Sequence, residues 1–510
     1  MLTKTWSAAL SGLNPFTVEI EVSNNGEGNE NVINIVGLPD ATVRESKDRI
    51  RSAFYASGLK YPKGYTTVSL APADVRKSGA ALDFPIAIGL LSSTTLLQEG
   101  VLDGSMFIGE LALDGYLRPV KGALAMAIHA RECGFKKLYV PEENAVEASI
   151  AEGVEVYSIK YLRQAVDILT GQENPQPVKS DISNYFKSPD FYRNDFSHVK
   201  GQHSVKRGLE IAAAGAHNVL MIGPPGCGKS LLAKSYSSIL PQLNLDEALK
   251  VTQIHSIAGT LPDEQPLITE RPFRSPHHTI SDAGLLGGTS NPRPGEVSLA
   301  HKGVLFLDEL PEYKRSTLEV MRQPLESGEV TISRASGTAT FPADFMLLAA
   351  MNPCPCGHYG STQRECRCSS TQIMRYRSKI SGPLLDRIDI HLEVTPLTDQ
   401  ELLNKAEGEK SEDIRERVEQ AREIQKKRFS CGFTTNALMG PKQIEEFCDT
   451  EKSAVNLLRT AINDLNLSAR AYDRILRLAR TIADLEGEGN ILTHHVAEAI
   501  QYRTLDRKLW

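Results

Sequence analysis

The run Gly223-Pro224-Pro225-Gly226-Cys227-Gly228-Lys229-Ser230 has the eight-position spacing of a phosphate-binding loop. It follows the apolar stretch 218–222 and precedes a helix-like stretch, 231–240. Glycines in such a loop let successive backbone N–H groups converge on phosphate oxygens, the lysine places a point charge at the β- and γ-phosphates, and the next hydroxyl ligates Mg²⁺. Lys229 and Ser230 occupy those two positions. Seventy-nine positions after Lys229, the apolar run 304–307 ends in Asp308-Glu309. An acidic pair at the C-terminal end of a strand in an open α/β sheet faces the ligand crevice. Asp308 there would hold Mg²⁺ through water, and Glu309 would polarise a water attacking a γ-phosphate. A third apolar run, 345–351, delivers Asn352, whose side-chain amide can orient that water.

Two arginines could add transition-state charge. Arg387 follows a short helix-like segment in Ser381-Gly-Pro-Leu-Leu-Asp-Arg387-Ile-Asp389, and Arg470 begins a helical face with Arg474 and Arg477. Either can be an ordinary solvated charge; the functional reading puts one in cis and one in trans from a neighbouring subunit. Directly after Asn352 come Cys354-Pro-Cys356 and, nine residues on, Cys366-Arg-Cys368. Four thiolates satisfy tetrahedral Zn²⁺, and His358 could replace one sulfur. The C-x-C spacing is tighter than usual, and reduced, unliganded thiols are the alternative.

The elements that must position these residues belong to a chain of 510 residues, a length that suggests about three to four domains. Hydrophobic residues make up 41% and charged residues 24%, as in globular material rather than disordered or membrane chains. The net charge of −6 excludes a globally basic nucleic-acid footprint, so any such surface is local. Eight cysteines, four of them clustered, are too few for a disulfide scaffold and point to a reducing compartment. The start, MLTKTWSAALSGLNPF, has no export-type apolar segment, and no run approaches the ~20 apolar residues of a membrane span. A cytoplasmic protein without a membrane partner is expected.

Residues 1–170 mix strand-like alternation (16–22, 32–36, 66–70) with helix-like segments (41–57, 122–133), an α+β module. Residues 171–194 are polar and contain three prolines, as a linker would. From 195 to 396, helical patterns alternate with short apolar runs, which predicts an α/β core with a parallel sheet covered on both faces. Residues 397–510 read as a helical lid, with Ile475, Leu478, Ile482 and Leu485 along one stripe.

The motifs VGLPDATVRES, APADVRKSGAALDFPIAIGLL, GPPGCGKS, FRSPHH, VLFLDELPE, MNPCPCG and SGPLLDRIDIH span the chain. Through them it resembles the ComM/YifB-type magnesium-chelatase-like AAA+ ATPases over essentially its full length. The resemblance implies ATP and Mg²⁺ as cofactors, a Walker A motif at 223–230 and a Walker B motif at Asp308 and Glu309. It also implies sensor 1 at Asn352, an arginine finger at Arg387, sensor 2 at Arg470, and a homo-oligomeric ring, a hexamer. Family members act as DNA branch-migration motors that help integrate incoming single strands during natural transformation. The first module resembles the Lon-protease fold through 77–83, 119–130 and 140–144, with Ala81 at the serine position and Met126 at the lysine position. Neither side chain can serve as nucleophile or base. Ser78 and Lys121 leave a shifted dyad as the alternative to a binding or ring-organising module.

Two segments are candidates for touching DNA. One is the insert 257–302 with Arg271, Arg274, His277, His278, Arg293 and Lys302; the other is a predicted hairpin over 328–341 that projects Arg334. Neither is densely basic or aromatic, so plain surface loops remain the alternative. Three functions follow: a DNA helicase or branch-migration motor, a motor that remodels a protein or inserts a metal, and a nucleotide-gated DNA-binding module that does not translocate.

Overall fold

The computed structural model describes residues 2–26, 31–77, 79–94, 96–186, 194–262, 265–288, 292–334, 337–360, 364–398, 401, 408–429, 435–465 and 469–503. The chain packs as two units: Met1–Ser188 with Leu245–Thr269 and Ser333–Thr340, and Pro189–Asn244 with Glu270–Ile332 and Phe341–Trp510.

In the first unit, strict alternation builds a four-stranded sheet from β1 (Leu2–Ser11), β2 (Asn14–Asn24), β3 (Asn31–Val36) and β4 (Gly64–Ala71), in the order β1-β2-β4-β3. Val18, Ile20 and Val22 are fully buried, while Glu19 and Glu21 point the other way and pair with Lys4. The helix Asp83–Ser93 is apolar almost all round and accordingly lies buried against β1 and β2. A second sheet, β5 (Ser105–Phe107), β6 (Lys137–Pro141) and β7 (Glu155–Ile159), is parallel throughout. Asp83 is buried in this unit, where it accepts from Arg49 Nε at 2.6 Å and Nη2 at 2.9 Å. Burial nevertheless pushes its carboxyl up to about 6.

Residues 245–269, which the sequence division assigns to the nucleotide core, pack within this first unit. The helix Leu245–Ala258 lies on the helix Ala123–Glu132, and the reason is polar as well as apolar. Ser256 donates to the buried Glu147 and accepts from Gly122 N at 2.9 Å, while Leu124 N donates to Glu147 at 3.0 Å. A carboxylate taken out of water must be met by donors, and Ser256 is one of them. The described part of the expected linker also joins this unit, with Val178 N donating to Val156 O of β7 at 2.8 Å.

The second unit carries a five-stranded sheet whose strands are all parallel: β8 (Val219–Ile222), β9 (Phe273–Arg274), β10 (Val304–Leu307), β11 (Met346–Met351) and β12 (Ile390–Glu393), in the order β9-β10-β11-β8-β12. β8, β10 and β11 are buried along their whole length, as a parallel sheet covered on both faces requires. The C-terminal helices share this core rather than forming one of their own. Ile475, Leu478 and Ile482 of the helix Ala469–Leu485 belong to the same apolar cluster as Val219, Leu348 and Ile390. Each such fully buried side chain contributes about 1.5–3 kcal/mol. From the helix Ser411–Arg428, Arg422 and Gln425 donate to Ala213 O and Ala214 O, carbonyls at the end of the helix His203–Gly215 that have no partner within it.

Asp83→Ala leaves the Arg49 guanidinium without its buried partner. At pH 8 we expect a loss of about 3 kcal/mol in urea unfolding; a loss under about 1 kcal/mol would mean the pair carries little of this unit's stability.

Candidate functional site

The loop 223–230 links β8 to the helix Lys229–Tyr236. Gly226 and Gly228 take φ of +79° and +90°, values that L side chains rarely adopt, which turns the backbone N–H groups inward. Gly223 is constrained differently: a Cβ there would lie 2.2 Å from Val394 O. Lys229 is buried, and its ammonium donates to Gly223 O at 2.7 Å, Pro224 O at 2.9 Å and Asn352 Oδ1 at 3.1 Å. Burial lowers its pKa from the ordinary lysine value. Asn352 thus arrives from the end of β11 at the same ammonium that sits at the end of β8.

Ser230 Oγ donates to Asp308 Oδ2 at 2.8 Å, bringing the ends of the 223–230 loop and of β10 together. A hydroxyl and a carboxylate side by side are the hard oxygen donors that Mg²⁺ takes. Asp308 Oδ1 accepts from the backbone N–H of Glu309 at 2.9 Å. Glu309 itself has φ of +52°, a left-handed backbone unusual for a residue with a side chain and worth roughly 1–3 kcal/mol of strain. Its carboxylate meets His278 Nδ1 at 3.3 Å.

His278 is the residue that sequence reasoning assigned to a different task. A candidate DNA contact by its sequence, it sits against the acid pair, its ring tilted by 33° to that of His277 with centroids 4.1 Å apart. β9, only two residues long, carries the FRSPHH segment to the edge of the sheet beside β10. A two-residue strand has no periodicity to read.

Other basic residues of the insert are committed to the fold. Arg271 donates to Pro241 O and Lys302 O, each at 2.7 Å; Arg274 forms a two-pronged pair with Glu296 at 2.7 and 2.8 Å; Lys302 meets Asp344 at 2.6 Å. Internal carboxylates and carbonyls hold these three side chains. Arg293 is exposed, and the side chain of Arg334 lies outside the described residues.

Arg387 and Arg470 lie near each other. Arg470 Nη1 is 3.7 Å from Asp386 Oδ2, and its charge, with burial and Arg322, lowers the pKa of Arg387. Arg387 is paired with Glu326 and with Pro383 O. Among the described residues, neither guanidinium is hydrogen-bonded or ion-paired to the 223–230 loop, Asp308 or Glu309.

In the first unit, Met126 is 3% exposed within the core, and Lys121 lays its ammonium along Gly259. Ser78 lies outside the described residues. In the second unit, Cys354, Cys356, Cys366 and Cys368 turn their sulfurs to one point, all within 4.8 Å of one another.

Residues 195–402 match the family description magnesium chelatase, subunit ChlI; residues 18–144 match subunit ChlI of Mg-chelatase, and residues 408–503 match its C-terminal description. The chain is 43% identical over 498 residues to competence protein ComM of Haemophilus influenzae, covering 97% of this chain and 95% of that protein. It is 42% identical over 500 residues to the uncharacterized protein YifB of Escherichia coli, with the same coverage. The chain is a ComM/YifB-type member of the magnesium-chelatase family. Likeness to the magnesium-chelatase 38 kDa subunit of Rhodobacter capsulatus is more remote, 24% over 176 residues, covering 31% of this chain and 50% of that protein. The mixed α/β architecture with its parallel sheet and helical C-terminal region is that of the family's AAA+ ATPases. Among the described residues no helix is long and apolar enough to cross a membrane.

In this ComM/YifB-type site the imidazole of His278 lies 3.3 Å from the Glu309 carboxylate. His278→Ala should lower ATP turnover roughly tenfold to a hundredfold while ATP affinity stays within about twofold, since a displaced base costs rate rather than binding. Steady-state kinetics with equilibrium nucleotide binding checks this; unchanged turnover would remove His278 from the site.

Proposed function

We propose that this ComM/YifB-type protein is a ring-forming ATPase, a hexamer, that couples ATP hydrolysis to movement on DNA in branch migration during recombination or natural transformation. The observation that carries the ATPase part is the meeting of Lys229, Asn352, Ser230 and Asp308 at the ends of three parallel strands. The competence protein of Haemophilus influenzae, similar over nearly the whole chain, supports the DNA part.

Lys229 and the backbone N–H groups of 223–230 bind the β- and γ-phosphates; Ser230 and Asp308 hold Mg²⁺, which neutralises charge on those phosphates when bound. Glu309 takes the proton of the attacking water, and Asn352 orients that water. Arg387 reaches the nucleotide of a neighbouring copy as the finger, and Arg470, from the helical C-terminal region, acts in cis as sensor 2. The first unit organises the ring or binds a partner without proteolysis, since Ala81 and Met126 replace the residues a serine–lysine dyad needs. The protein works in the cytoplasm, with ATP and Mg²⁺ as its cofactors and a structural Zn²⁺ at the four cysteines.

A second reading, a motor acting on a protein partner like the magnesium-chelatase subunit, is favoured by the internal pairing of Arg274 and Lys302. Single-stranded or branched DNA separates the two. If DNA is the substrate, it stimulates ATP hydrolysis, and the stimulation falls steeply between 50 and 200 mM salt, as phosphate contacts demand. No stimulation favours the protein-remodelling motor. Binding of labelled junctions without ATP-driven strand displacement would instead identify a nucleotide-gated module.

The roles are tested by three variants read for binding and turnover. Lys229→Ala should weaken ATP binding by more than about tenfold. Glu309→Gln should bind ATP normally and turn over about 10²–10⁴ times more slowly. Arg387→Ala should bind normally and lose about a thousandfold in turnover of the assembled ring. Equal loss of binding in the first two, or unchanged turnover in the third, would contradict these assignments.

A further inference from the structure

The loop after Asn352 makes two sets of contacts, one among its own sulfurs and one with the phosphate loop. Cys354, Cys356 and Cys366 have sulfurs 3.4, 3.7 and 3.6 Å apart, and none of the four is in a disulfide. A disulfide needs about 2.05 Å. Four sulfurs each about 2.3 Å from a central zinc stand about 3.8 Å apart, close to the spacing found.

Backbone donors meet two of the sulfurs. Tyr359 N donates to Cys354 Sγ at 3.3 Å, and the N–H groups of His358 and Arg367 point at Cys356. Four thiolates around a dication leave two negative charges, which such donors offset. A soft, tetrahedral sulfur set selects zinc or iron over magnesium.

The same loop touches the nucleotide machinery. Gly357, between Cys356 and His358, is buried with φ of +82°, and a Cβ on it would lie 2.5 Å from Pro225 Cδ and 3.1 Å from Cγ. Arg377 fixes the other side by donating Nε and Nη2 to Pro353 O, each at 3.2 Å, and by lying 5.2 Å above the Tyr359 ring. Asn352, hydrogen-bonded to Lys229, immediately precedes Pro353.

We propose that Cys354, Cys356, Cys366 and Cys368 bind one Zn²⁺ and that this metal knuckle braces the phosphate loop at Pro225, so that loss of zinc weakens nucleotide binding. The brace rests on the reading of 223–230 as the ATP site; the metal site does not. Among its described residues this loop has no helix or strand of its own, so an ion would add to the contacts that hold it against Pro225.

The test uses the full chain purified under reducing conditions without added metal. Elemental analysis should give close to one zinc per chain and no stoichiometric iron. Exchange with Co²⁺ should give the visible thiolate-to-metal and tetrahedral ligand-field bands. Cys366→Ser with Cys368→Ser should lose the zinc and bind ATP about tenfold more weakly, by titration with a fluorescent ATP analogue. Gly357→Ala should keep the zinc yet show a similar loss of affinity, because the methyl pushes on Pro225. If the double variant does not fold, zinc withdrawn from wild-type protein by a chelator and then restored should weaken and recover ATP binding. Well under one zinc per chain, iron in its place, or zinc-free protein that binds ATP as tightly as wild type would overturn the proposal. Protein that holds zinc but binds no ATP would overturn the nucleotide reading and the brace while leaving the metal site standing.

Discussion

A buried ammonium needs acceptors, and Lys229 finds them at the ends of two parallel strands, in Gly223 and Pro224 after β8 and in Asn352 after β11. Those strands are neighbours in the sheet, so the lysine's requirement and the ladder's register support each other. β10 lies on the other side of β11, and its end brings Asp308 to Ser230. Shifting any of these three strands by one residue would move its terminal polar group away from the cradle. The apolar strands are thus a positioning device as much as a core, and the preference of parallel sheets for burial on both faces explains why they are short and uniformly hydrophobic.

The same logic ties the helical C-terminal region to the segment around Arg387. Burial alone would raise the carboxyl of Asp389, but the hydrogen bond from His217 and the charges of Arg474 and Arg503 hold it below the usual carboxylate range. Arg474 Nε lies 3.6 Å from Asp389, His217 Nδ1 lies 3.3 Å away, and His217 also meets Thr481 at 2.8 Å. Arg503 donates to Ile388 O at 2.6 Å. A charged network this deeply buried has few arrangements that satisfy all its members, so Asp386, Arg387 and the start of the Ala469–Leu485 helix are set as one body.

What the sequence made legible was local. The glycines and lysine of 223–230 lie within eight positions, and the buried strands announce themselves by composition; the stripe Ile475, Leu478, Ile482 follows from helical geometry. What it did not show depends on partners distant in the chain. Ser256 meets Glu147 across 109 positions, which places 245–269 in the first unit. Arg274 and Lys302 looked free because Glu296 and Asp344 stand 22 and 42 positions away. His278 could not be matched with Glu309, because the element that carries it is too short to leave a pattern.

The arginine cluster bears on why one chain would need another. Burial and the charges of Arg322 and Arg470 depress the pKa of Arg387, and its Nε is buried without a hydrogen-bond partner among the described residues. Glu326 meets one end of the guanidinium, yet its own side chain is 62% exposed, so the pairing is screened by water and easily exchanged. Crowded cations with a spare donor are stabilised by an anion brought to them, and a triphosphate offers more charge and a better match to a guanidinium fork than one exposed carboxylate. Among the described residues this cluster has no hydrogen bond or ion pair with the phosphate loop. That crowding is consistent with the proposal that Arg387 serves a neighbouring copy.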